Sequence, residues 1–176
     1  MAYLLENEFS VTSYVPLEKM PYQNPYNFSE TYTKAYHYLV NERKLDFEII
    51  DLLCRKNYIR QETEHDNAVF QWVKFGSVVG SNIKSTNPNS SFKIISSNSE
   101  SNFGFNIMIG EPSQVKDIYF FEAAVDALSY WSFNKDTIRD TMLVDLEGVK
   151  VESFINFQQY AKNLGVRLPD PSHLHI

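Results

Sequence analysis

FEAAVDALSYW, residues 121–131, decides how this chain folds. It follows Asp117-Ile118-Tyr119-Phe120, an apolar run of the length expected for a buried strand, and Val125, Leu128 and Trp131 within it recur at helical spacing. A strand that hands over directly to a helix belongs to an α/β unit, and open α/β sheets place their working groups at that handover. Glu122 stands there. A carboxylate in that position must be solvated, hydrogen-bonded or bound to a metal, because an unpaired buried charge is too costly. The plain alternative is that Glu122 caps the helix after it.

Outward from this stretch, the second half alternates. A strand at 117–121, a helix at 124–132, a strand at 141–145, a helix at 151–163 and a short strand near 173–176 predict parallel pairing with right-handed crossovers. Gly110-Glu111-Pro112-Ser113 marks the joint with the first half. Before that joint the pattern is different. Ser29 and Asp46 are N-cap candidates for two helices, the second with Phe47, Ile50, Leu53 and Cys54 as its apolar stripe and Asn57 as its left-handed stop. AVFQWVKF (68–75), VVGSNI (78–83), FKII (92–95) and FGFNIMI (103–109) then read as one small antiparallel sheet. The expected fold is α+β: an extended lead-in (1–28), a helical pair with its sheet (29–110), and a β-α-β-α unit (111–176).

A chain of 176 residues makes one domain or slightly more. It has no apolar run long enough to span a membrane and no signal-peptide pattern at its start, and its single cysteine, Cys54, allows no internal disulfide; a cytoplasmic protein is expected. The net charge of −6 argues against sequence-blind binding of a polyanion. It leaves contact with nucleic acid through a local basic patch, or binding to a basic protein surface.

Three carboxylates form the leading constellation. Glu122 ends one predicted strand, and Asp145-Leu146-Glu147 ends the next. Alternate strand residues share a face, so Asp145 and Glu147 are expected to point together, and neighbouring strands would bring Glu122 to them. Such oxygen ligands suit magnesium or manganese, which could activate water beside a phosphoryl group. Asp126, one helical turn on, is a candidate supporting partner. Solvated turn residues are the alternative. A second constellation is basic: Arg43, Lys44, Arg55, Lys56 and Arg60, interleaved with Tyr36, Tyr38 and Tyr58, suited to phosphates and stacked bases, or else a salt-bridged helical surface. His173 and His175 alternate near the end, but two ligands make a weak metal site.

Several stretches in order, YVPLEKMPYQN (14–24), AYHYLVNERKLDFEIIDLL (35–53), NAVF (67–70), NFGF (102–105) and FEAAVDALSYW, resemble mobile-element proteins that carry a domain of unknown function followed by a Toprim domain and are similar to relaxase-associated and primase-like proteins. The resemblance implies a truncated Toprim-like unit in which Glu122 is a general acid or base beside magnesium. It also implies a later Asp-x-Asp pair; the sequence stops at His173-Leu174-His175-Ile176, where that strand would fall, so Asp145 and Glu147 are expected to stand in for the pair. Two basic features of the family are replaced here by Ile83-Lys84 and Asn98-Ser99-Glu100-Ser101. The expected function is counter-defence: inhibition of an RNA-guided DNA endonuclease, in the manner of anti-CRISPR proteins, by magnesium-dependent trimming of its guide RNA. The alternatives are a non-catalytic plug of that enzyme's nucleic-acid channel, and a part of a primase- or relaxase-associated protein acting on DNA.

Overall fold

The computed structural model describes residues 20–90, 92–148, 151–166 and 174–175. The fold is α+β. Helix α1 (Thr33–His37) runs into a π-helical turn at Tyr38–Glu42, and α2 (Phe47–Arg55) follows. Strands β1 (Ile59–Gln61), β2 (Ala68–Lys74), β3 (Ser77–Lys84) and β4 (Lys93–Ile95) form an antiparallel sheet in that order. The second sheet contains β5 (Asn106–Ile109), β6 (Asp117–Phe121), β7 (Thr141–Asp145) and β8 (Leu174–His175), in the order β5-β7-β6-β8, with α3 (Ala124–Phe133) and α4 (Val151–Asn163) as its helices.

The helical pair forms for local reasons, with one correction. Asp46 caps α2, its Oδ1 accepting from the N–H groups of Glu48 and Ile49 at 3.0 and 3.1 Å. Asn57, at φ 61°, ends that helix in the left-handed region. Ile49, Ile50, Leu53 and Cys54 are its buried face, while Phe47 is exposed. Burial pushes the Cys54 thiol up to about 12, which suits a core residue and not a nucleophile. Ser29 does not cap α1. Its hydroxyl accepts from Thr31 N–H in a local turn, and the helix begins four residues later. The cap comes from across the fold: Gln61 Oε1 on β1 accepts from the N–H groups of Lys34 and Ala35.

Strand β5 is the second correction. Its alternation predicts a strand, and a strand forms, but it pairs antiparallel with β7 rather than joining the first sheet. Alternation reports a half-buried strand and carries no information about its partner. On the other side of β7, β6 pairs in parallel, and β8 pairs in parallel with β6. The two sheets share a core. Phe70 of β2 meets Phe105 edge-on at 5.5 Å, and Phe103 stacks on Phe157 of α4 at 4.5 Å. The register of β2 against β3 shifts between Trp72 and Val73, and the Val73 carbonyl accepts from Asn106 Nδ2 of the second sheet at 3.1 Å. Among the described residues, no helix is long and apolar enough to cross a membrane.

Candidate functional site

The sheets meet at the end of β7. Phe121 lies opposite Asp145 in the β6–β7 register, so the two strands expected to be neighbours are neighbours. The chain then turns through Glu147 (φ 52°) and Gly148 (φ 92°). Because of that turn, Glu147 N–H donates to Asp145 Oδ1 at 2.8 Å, and the two acidic side chains come together. The expected proximity is therefore present, but it comes from a turn and not from strand alternation.

The first sheet supplies what faces this pair. Asn82 of β3 donates from Nδ2 to Glu147 Oε1 and, at 3.5 Å, to Asp145 Oδ2. Lys93 of β4 sits 2.7 Å from Glu147 Oε2 and 3.7 Å from Asp145 Oδ2, and its ammonium donates to the backbone carbonyl of Glu122 at 3.4 Å. Asp145 is 0% exposed. Burial, followed by the charge of Glu147, pushes its carboxyl up to about 8, and Lys93 offsets this only in part. At neutral pH Asp145 is therefore mainly a protonated acid beside an ion pair. Gly104 makes the approach possible, since a Cβ there would lie 2.0 Å from the Asp145 carbonyl oxygen.

Glu122 does not join them. It is exposed and lies past the end of β6, in the bend that leads to α3. Nor does it cap α3, whose N-cap is Ala123 and has no side-chain cap. Because Glu122 precedes the helix, the one-turn relation to Asp126 does not arise; Asp126 is exposed on the first turn of α3. Among the described residues, no group of three or more His, Cys, Asp or Glu side chains is placed to hold a metal ion. Magnesium wants a near-octahedral shell of oxygens; in the arrangement described, Glu147 is held by the Lys93 ammonium and the Asn82 amide, and Asp145 accepts from Glu147 N–H. His173 lies outside the described residues.

The basic constellation is split in two. Arg55 and Arg60 line a groove of about 210 Å³ with Ser29, Tyr32 and Gln61. There Arg55 pairs with Asp51 at 2.8 Å, and the Arg60 guanidinium lies 4.4 Å from the centre of the Phe28 ring. Lys44 and Lys56 are exposed at helix ends. Arg43 instead lines a second cavity, of about 240 Å³, at the start of α3 with Asn82, Lys84 and Lys93. Sequence reasoning missed Asn82, Lys84 and Lys93. Their one signal is alternation: Asn82 and Lys84 are two apart on β3, and Lys93 pairs with Lys84 across the ladder.

A family model described as a protein of unknown function, DUF3991, matches residues 37–111. The chain is also similar to an uncharacterized plasmid-encoded protein of Bacillus anthracis, 33% identical over 152 residues, covering 82% of this chain and 43% of that protein. The chain thus spans under half the length of that relative.

Proposed function

We propose that this chain is a cytoplasmic nucleic-acid-binding module of a mobile-element protein, of the Toprim-bearing, primase- or relaxase-associated kind, and that it works by contact rather than by cutting. The observation that carries the reading is the state of the carboxylates. A metal-dependent nuclease needs open oxygen ligands converging on one point. Here Glu147 is occupied by Lys93 and Asn82, Asp145 is buried, and Glu122 is exposed apart from them. The cations, by contrast, line concave surfaces, with Arg55 and Arg60 in one and Arg43, Lys84 and Lys93 in the other. Local concentration of this sort allows phosphate contact on a chain whose net charge is −6. The plasmid-encoded relative supports the mobile-element setting.

Fluorescence anisotropy with labelled single-stranded DNA and RNA tests this. Binding is expected without added metal and should weaken as salt rises, with a shallow slope because few phosphates are contacted. Absence of binding at low salt would sink the reading. Magnesium-dependent shortening of the strand, lost in Glu122→Gln, would replace it with the metal-dependent trimming reading.

A second reading, a counter-defence plug for the basic channel of an RNA-guided DNA endonuclease, is favoured by the −6 charge together with the apolar edge strand β4, where Ile94 and Ile95 are exposed. It expects DNA cleavage by the endonuclease to stop while its guide RNA stays full length. Undiminished cleavage at saturating protein rejects it.

A further inference from the structure

We propose that the cavity at the start of α3 is a phosphate-binding site for a nucleotide unit, with the phosphate held by Arg43, Lys84 and the first N–H groups of α3, and a hydrogen-bond donor of the sugar or base meeting the Asn82 carbonyl. The inference deepens the binding reading above and rests on it for the class of ligand.

Three independent features converge on this cavity of about 240 Å³. The first is the helix start. Ala123, the N-cap, has no side-chain acceptor, and Ala124 and Val125 after it line the cavity. The second is charge. Arg43, Lys84 and Lys93 are all in the wall, and Asp126 is the one carboxylate there among the described residues. Lys93 is engaged with Glu147, which leaves Arg43 and Lys84 to face an incoming anion. Lys84 feels the lack of a counter-charge: burial, then the positive charges of Arg43 and Lys93, hold its ammonium below the usual lysine range. A phosphate would relieve that repulsion.

The third feature selects among anions. Asn82 is 2% exposed and forms part of the cavity wall. Its amide group is oriented by the acid pair, because Nδ2 must donate to Glu147 and Asp145. That fixes Oδ1 as the other end, and Oδ1 has no hydrogen-bond partner among the described residues. A buried carbonyl left unmatched is costly. A ligand that offers only acceptors, such as sulfate, cannot satisfy it. A nucleotide carries acceptors on its phosphate and donors on its sugar and base.

The experiment is a titration of the ¹⁵N-labelled protein with sulfate and, separately, with AMP, following the amides of Ala124, Val125 and Asp126, with calorimetry for affinity. Both are expected to shift those amides, AMP binding more tightly by about tenfold because it adds the hydrogen bond to Asn82. Lys84→Gln and Arg43→Gln should each weaken AMP by about tenfold, whereas Lys162→Gln, an equal charge loss on the far helix α4, should not. Thermal melting separates lost binding from lost fold, since Lys84→Gln is expected to melt no lower than the parent. Shifts that scatter over the surface, or that survive Lys84→Gln, overturn the site. If oligonucleotides bind but AMP leaves α3 untouched, the cavity inference fails and the binding reading stands. If AMP binds here and oligonucleotides do not bind at all, the reverse holds.

Discussion

Two carboxylates in this molecule are almost equally hidden and behave in opposite ways. Glu62, just after β1, is 3% exposed, and Asp145, at the end of β7, is 0% exposed. Burial alone raises both. At Glu62 three backbone N–H groups, from Asn67, His65 and Glu64, converge on the carboxylate and outweigh burial, so it is held below the usual carboxylate range. At Asp145 one backbone N–H is aimed at the carboxyl, and a second carboxylate lies beside it. The first is a structural anion that organises a turn. The second is a neutral acid whose ionisation the fold resists. What a buried carboxyl does is decided by depth together with what surrounds it: at Asp145 burial and a neighbouring carboxylate win, whereas at Glu62 three backbone donors outweigh burial.

The contrast can be broken most severely at Gly104. A methyl group there would collide with the Asp145 carbonyl at 2.0 Å, and backbone cannot step aside as a flexible side chain can. Gly104→Ala is expected to cost about 4 kcal/mol or to prevent folding, read by urea denaturation. Next is Glu62→Ala, which strips three N–H groups of their acceptor. A loss of about 3 kcal/mol at neutral pH is expected. A variant as stable as the parent would show that water replaces the carboxylate without penalty.

The pH dependence sharpens the comparison. Glu62, lowered in the folded state, stabilises above the unfolded carboxylate pKa, and that stability is lost as pH falls through its folded value. Asp145 has the opposite sign. The unfolded chain releases this proton near pH 4 and the folded chain keeps it to about 8. Between those values the folded state binds the extra proton, so stability falls as pH rises. From pH 6 to pH 8 the expected loss is about 2 kcal/mol, and Asp145→Asn should flatten that limb. A parent and variant with parallel curves would remove the proton from Asp145. The smallest effect tests the same rule with positive charge: Lys84→Gln, by removing an ammonium that burial and the charges of Arg43 and Lys93 disfavour, is expected to raise stability by about 0.5 kcal/mol.

Local chemistry was legible in the sequence, and tertiary pairing was not. The cap at Asp46, the stop at Asn57 and the strand–helix alternation from Asp117 to Asn163 each depend on residues close in the chain, and each appears as expected. Ser29 misled because Gln61, about thirty residues away, supplies the acceptor. Strand β5 was recognised as a strand and assigned to the wrong sheet, since a partner is chosen by the whole fold. In the candidate site, the closeness of Asp145 and Glu147 could be read and the separation of Glu122 could not, because Glu122 falls past the end of β6, in a bend where strand alternation no longer applies. Asn82, Lys84 and Lys93 gave only the faint signal of alternation on β3. They matter through what lies across from them.

The irregular step in β2 has its own mechanical result. By breaking its ladder between Trp72 and Val73, the strand presents one carbonyl to the far side of the molecule, where Asn106 and the Tyr160 hydroxyl both fasten. A tidier β2, with every rung in place, would have no such rivet to offer. The small defect adds one more fastening between the two layers, beside those that Asn82 and Lys93 make to Glu147.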